Sequence, residues 1–376
     1  MAGPGQAGHQ IDQGVNRLNL FKKIGIKLLL VFIPVTLALE HLAPDRPALI
    51  FLAAALGIVP LAGLIIQATE QIAHRTGDAI GGLLNATFGN APELIIAFVA
   101  LRAGLVEVVR ASLVGAILAN MLLGLGLAFL LGGLRHHDQE FNLRGAQMQV
   151  SLMFMAVISL MVPGSFHTLI SPETQYLERT LSIGVAVILL ASYAFSLVFM
   201  LRTHPEVFAG EQHPTPASEA PWGVGKAVGL LVFASLGAAW MSEILVGAVE
   251  GASQELGMSK TFIGLVVLAV VGGAAELGSA VAMGRKNRMD LAIGIAVGSS
   301  IQIALFVAPV LVLLSLVAAP SPFILAFGRG ELLLLFMTVM ISTVVASGGR
   351  SNWYKGVQLL TVYLVFAFLF FLHPVG

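Results

Sequence analysis

Two glutamates carry most of the chemistry this sequence can offer. Glu93 stands last but one in the segment LLNATFGNAPEL (Leu83 to Leu94) and Glu276 last but one in VVLAVVGGAAEL (Val266 to Leu277), both inside otherwise apolar runs. Aligned on these glutamates, Gly89 meets Gly272, Ala91 meets Ala274 and Leu94 meets Leu277, all at an offset of 183. Without a gap, Val114–Gly115 then meets Val297–Gly298, so glutamate and glycine stand 22 residues apart in both halves. Each glutamate follows a helix-weakening stretch, Gly89-Asn90-Ala91-Pro92 or Gly272-Gly273-Ala274-Ala275. Pro92 brings no N–H and frees the carbonyl of Phe88, and glycine permits non-helical backbone and close helix approach. A carboxylate beside loose carbonyl oxygens is the donor set a hard cation requires. In a low-dielectric interior such a charge needs a counter-ion or a proton. One dication would answer two carboxylates, and two protons would replace it. A site that holds one or the other performs cation/proton antiport.

Secondary oxygens lie close by in sequence. Ser299, Ser300 and Gln302 follow Gly298, Asn120 follows Gly115, and Gly89 and Asn90 precede the first glutamate. These are suitable ligands, though serine and amide side chains also serve as glue between membrane helices. Glu70, Glu243 and Glu250 fall in or at the ends of apolar runs. They could pass protons towards the site, or simply snorkel to the membrane surface. A lone intramembrane glutamate can be structural; two at matching positions, each beside a helix break, point to a transport site. His136, His137 and Asp138 could bind a transition metal, but without helical ligand spacing they read as a solvated loop. No cofactor is expected, the cation being cargo.

The elements that must position these residues follow from composition. Of 376 residues, 57% are of the hydrophobic class and 11% are charged, with a mean hydropathy of +0.92. A soluble surface needs about 25% charged residues, so most of this surface faces lipid. Twenty basic and twenty acidic residues cancel, leaving no overall field for nucleic acid, and no cysteine is present. Runs long enough to cross a bilayer lie at roughly 24–43, 48–71, 82–101, 111–134, 146–163, 176–201, 224–249, 261–283, 290–318, 330–347 and 355–373. Strand-like alternation is absent, so the expected fold is an all-α polytopic membrane protein of about eleven transmembrane helices.

Basic residues orient it. With the N-terminus on side one, that side collects fourteen lysines and arginines, among them Arg135, Arg144, Arg285, Lys286, Arg288 and Arg350, and the other side six. The asymmetry puts the N-terminus in the cytoplasm and the C-terminus outside. The short polar head lacks a cleavable signal pattern, and head and brief loops suggest a prokaryotic inner (cell) membrane. Residues 1–46 are then a cytoplasmic head and peripheral first helix. Residues 47–202 form a first five-helix repeat, 203–222 a proline-rich cytoplasmic linker, and 223–376 a second repeat. Five is odd, so the second repeat must lie inverted, with the site between the repeats at the midplane.

The motif FGNAPELIIA (Phe88 to Ala97) resembles the CAX family of Ca²⁺/H⁺ antiporters within the cation/Ca²⁺ exchanger superfamily. The first-repeat signature G-N-A-x-E-L-I is matched by Gly89, Asn90, Ala91, Glu93, Leu94 and Ile95; GAILANMLL from Gly115 is similar to the family's G-S-I-L-S-N-L-L-L. GGAAEL (Gly272 to Leu277), GSSIQ (Gly298 to Gln302) and the tail GGRSNWYKG extend the resemblance over nearly the whole chain. It implies that Glu93 and Glu276 bind Ca²⁺ and carry protons, with Ser299 and Gln302 beside them, and that two helices rock to expose the site alternately. The chain departs from the pattern at four positions. Gly273 stands for asparagine, Leu277 for histidine, and Ala116 and Ala119 for two serines, each change removing a polar side chain. The acidic helix many relatives carry between the repeats is reduced to a linker with Glu206, Glu211 and Glu219.

The rivals are Na⁺ or K⁺/proton (or Na⁺/Ca²⁺) exchange, a passive cation channel, and an intramembrane enzyme. The channel would not need paired titratable carboxylates at repeat positions, although acidic rings do occur in cation pores. For the enzyme, no H-E-x-x-H or G-x-S-x-G motif is present.

Overall fold

A computed structural model describes residues 28–76, 84, 87–167, 175–204 and 222–372. The N-terminal head and most of the linker lie outside them. The chain is an all-α polytopic membrane protein. After a short turn at Leu29–Val31, α1 (Phe32–Leu42) leads to α2 (Pro47–Thr76). The first half continues with α3 (Ala91–Arg102), α4 (Val106–His136), α5 (Leu143–His167) and α6 (Gln175–Val198, drawn on by a wide turn to Thr203). The second half comprises α7 (Val224–Leu256), α8 (Lys260–Gly272), α9 (Ala274–Arg285), α10 (Met289–Ala318), α11 (Arg329–Ala346) and α12 (Trp353–Leu372).

A helix occupies each apolar run read from the sequence. Among the described residues eight helices are long and apolar enough to cross a membrane, and the bent pair α8–α9 makes a ninth. The other two runs hold α1, which is shorter, and α3, the described part of its run.

Helix boundaries repeat between the halves. α3 begins at Ala91 and α9 at Ala274, each of 12 residues, while α4 begins at Val106 and α10 at Met289. Near their middles α4 and α10 each widen into a π turn, Ala119–Gly124 and Ile303–Val307. Packing follows the same exchange: α2 lies along α7, α5 along α11, and the α4–α12 contact is mirrored by α10 with α6. Small residues allow this density. A Cβ on Gly115 of α4 would sit 1.9 Å from the carbonyl oxygen of Leu265 in α8, so the two backbones touch.

Non-helical backbone is kept inside protein, as a membrane demands. Between α10 and α11, Phe323, Leu325 and Phe327 are buried in an extended segment. Its N–H groups at Phe323 and Leu325 donate to the hydroxyls of Ser315 (2.8 Å) and Ser182 (3.2 Å), and Arg110 donates to the Ala326 carbonyl. At the opposite end, two short strands absent from the sequence reading, β1 (Asp138–Glu140) and β2 (Arg350–Asn352), pair antiparallel. They join the α4–α5 link to the α11–α12 link. Between the strands and α9, the buried Gln139 donates to the Gly284 carbonyl (2.8 Å) and to Asn287 Oδ1 (2.9 Å), anchoring the far end of the helix that begins at the second motif.

Candidate functional site

Both glutamates lie in the first turn of a helix that starts at a backbone break. Asn90, just before α3, has left the helical region (φ −104°, ψ 28°), and Pro92 follows inside the first turn, where its missing N–H costs nothing. Gly273 makes the corresponding break (φ −80°, ψ 9°), and α8 and α9 meet there at a bend of 59°. The amide hydrogens of a first helical turn have no partners within the helix, so each glutamate sits at the positive end of a helix dipole.

The two breaks converge. A Cβ on Gly272 would lie 3.2 Å from Glu93 Cγ; one on Gly273 would lie 3.6 Å from Glu93 Oε1 and 3.5 Å from Asn120 Oδ1. Asn90 donates its side-chain amide to Gln302 Oε1, linking the first break to α10. Glu276 lies in the first turn of the helix that begins at the very break Glu93 rests against. Both are buried, at 7% and 6% exposure, as are Asn90 (2%), Asn120 (1%) and Ser299 (8%). Among the described residues, all four carboxylate oxygens, Asn90 Oδ1 and Asn120 Nδ2 have no hydrogen-bond partner. Polar atoms in a protein interior are nearly always paired, so this concentration marks a place built to receive something. Its oxygen-rich donor set, assembled from two carboxylates and amides, fits a hard cation or protons.

The sequence-derived residues divide into two groups. Glu93, Glu276, Asn90, Gln302 and Asn120 belong to this buried cluster, Asn120 opening the π turn of α4; Gly89 is half-buried in the turn before α3, and Ser299 lies one turn before Gln302 on α10. Ser300 is buried too, but its hydroxyl donates to the Ala296 carbonyl (2.9 Å) of its own helix. Glu70 on α2 and Glu243 on α7 are exposed at the protein surface, outside the buried cluster. Glu250 is exposed and pairs with Lys260 at 3.0 Å. His136 ends α4 and its ring lies 3.1 Å from the Arg285 carbonyl; among the described residues no group of three or more His, Cys, Asp or Glu could hold a metal ion.

Gly124 was not singled out in the sequence. A Cβ there would meet Leu277 Cδ2 at 2.7 Å, so the leucine next to Glu276 packs into a notch on α4. The sequence signal was present: a glycine four residues after Asn120, on the same face of the helix.

The family model described as sodium/calcium exchanger protein matches residues 46–202 and 226–372. A Ca²⁺/H⁺ antiporter of Aphanothece halophytica is 41% identical over 360 residues, spanning 92% of this chain and 96% of that protein. One of Synechocystis is 40% identical over 367 residues, spanning 92% and 97%. The solved structure of native YfkE superposes with a TM-score of 0.80 at 36% identity, covering 93% of this chain and all of that one.

Proposed function

The chain belongs to the sodium/calcium exchanger protein family, and from that premise we propose that it exchanges Ca²⁺, or a similar cation, for H⁺ across a membrane. The carrying observation is the set of four buried carboxylate oxygens of Glu93 and Glu276 that find no hydrogen-bond partner among the described residues. When a dication occupies the site, the two carboxylates neutralise it, with Asn90, Asn120, Ser299, Gln302 and the backbone at Gly89 supplying further oxygens. When it leaves, protons take its place on the same carboxylates. The two occupancies exclude each other, and that exclusion couples the two flows without any bond being made or broken.

Alternating access follows from the repeats. We read residues 47–202 and 223–376 as two inverted five-helix repeats with the site between them, supported by the shared offset of 183 and by helix pairs that map onto each other when the halves are exchanged. Glu70 and Glu243 are the groups on α2 and α7 that would pass protons between the site and the two surfaces. The excess of basic residues favours a cytoplasmic N-terminus and an outside C-terminus, in a prokaryotic inner (cell) membrane.

Everted membrane vesicles with an imposed pH gradient test this reading. Ca²⁺ should dissipate the gradient, with Mn²⁺, Na⁺ and K⁺ defining selectivity, and Glu93→Gln or Glu276→Gln should abolish the response. Full exchange in both variants would remove the two-carboxylate mechanism. A gradient that no cation dissipates would remove antiport itself.

A further inference from the structure

A groove of about 520 Å³ runs between α5 and α11, lined by residues outside the glutamate cluster and near the end of the molecule where the strands pair. Val150, Phe154, Ile158, Met340, Ala346 and Ser347 are among its lining. Three of its four hydroxyls are turned inward: Ser159 donates to the Met155 carbonyl (2.9 Å), Thr343 to Val339 (2.6 Å) and Ser347 to Val344 (2.8 Å). Apart from the exposed Gln147 and Ser151, what the walls present is apolar.

The mouth is different. Arg144 is exposed on the first turn of α5, three residues before the lining residue Gln147 and so on a neighbouring face of the helix. The Lys355 ammonium lies 3.7 Å from where a side chain on Gly348, next to Ser347, would begin. Two of its three N–H bonds go to the carbonyls of Val345 (2.8 Å) and Arg350 (2.7 Å), leaving one donor over. Among the described residues neither cation has a carboxylate partner. Of the acids nearby, Glu140 is engaged with Arg350 (2.6 Å) and Asp290 with the Asn142 N–H (2.5 Å), while Asp138 stands exposed on β1.

An apolar slot on a lipid-facing surface, ending at two uncompensated cations at the basic end of the molecule, has the chemistry of one occupant. We propose that the groove binds an anionic phospholipid, with an acyl chain along α5 and α11 and the phosphate held by Arg144 and Lys355. A second protein copy could fill the slot but would leave the two charges unanswered. A free anion would answer the charges and leave the slot without a role.

The test uses the full chain, purified in neutral detergent and stripped of lipid, with retained lipid counted by native mass spectrometry and melting followed in parallel. Phosphatidylglycerol should bind and raise the melting temperature, while phosphatidylcholine with the same chains should not. Arg144→Gln, at an exposed position, should weaken phosphatidylglycerol binding about fivefold. Ser151→Phe, which fills the groove, should remove it. Equal binding of the two lipids, or binding unchanged in Arg144→Gln, overturns the proposal. So does stabilisation by inorganic phosphate equal to that by phosphatidylglycerol. An oligomer that dissociates in Ser151→Phe whatever the lipid would assign the groove to a second copy instead.

Discussion

Glu93 Oε1 lies 3.6 Å from the point where a side chain on Gly273 would begin, so the carboxylate of one half rests against the helix break of the other. The missing side chain leaves room that Asn120, 3.5 Å from the same point, faces from α4. Gly273→Asn should add an amide oxygen to the cluster at some cost in stability, because its Cβ would meet the Ala269 carbonyl at a tight 3.2 Å that the backbone must relieve. The expected result is a severalfold gain in preference for Ca²⁺ over Na⁺ in vesicle exchange. Gly273→Leu, with the same branching and heavy-atom count but no oxygen, should cut exchange strongly.

Asn90 and Gln302 form the polar link between the first break and α10. Removing either leaves the other's amide buried without its partner, a penalty of about 1–3 kcal/mol. Asn90→Ala and Gln302→Ala should each reduce Ca²⁺ affinity. The double variant should be little worse than the single ones, because both remove the same interaction. Additive losses in tracer binding would mean that the two residues act separately.

Helix contacts make a separate prediction about stability. Gly115→Val would drive a side chain into the Leu265 backbone, 1.9 Å from the position of its Cβ, whereas Gly184 on α6 has nothing within 4 Å. The first should cost at least about 1–3 kcal/mol and lower the yield of folded protein. Gly184→Ala should melt at or above the wild-type temperature, since it also removes the glycine penalty in a helix.

Glu70 and Glu243 are exposed and stand outside the buried cluster. If they pass protons, Glu70→Gln and Glu243→Gln should slow Ca²⁺/H⁺ exchange and leave equilibrium Ca²⁺ affinity unchanged. Stopped-flow recording of intravesicular pH, beside Ca²⁺ titration of the same preparations, separates rate from affinity. Unchanged rates would make them surface residues only.

Much of this was legible from one pattern. An offset of 183 found both glutamates, and the small residues before them foretold breaks that the backbone makes at Asn90 and Gly273. Apolar run length located the long helices among the described residues, though it read α8 and α9 as one span, because in a bilayer length and hydropathy leave few alternatives. Hidden from the sequence were features set by contacts between distant segments. The Asn90–Gln302 link spans 212 residues, and the notch at Gly124 exists only because Leu277 packs there. The strand pair was invisible for the same reason: three-residue strands have no periodicity to read, and Gln139 shows its purpose only beside Gly284 and Asn287. The π turns of α4 and α10 lie in runs that are apolar and buried on nearly every side, so no polar face marks the shift they introduce.

Proton release on Ca²⁺ binding tests the shared-site claim most directly. The purified protein, in weakly buffered detergent solution with a pH indicator, is titrated with Ca²⁺ while bound Ca²⁺ is counted. Displacement from two carboxylates predicts up to about two protons released per Ca²⁺, with affinity rising as pH rises. Glu93→Gln and Glu276→Gln should each lose both tight binding and release. Stoichiometric Ca²⁺ binding with no proton release across the pH range, or release that persists undiminished in both variants, would contradict a site that Ca²⁺ and H⁺ occupy by turns.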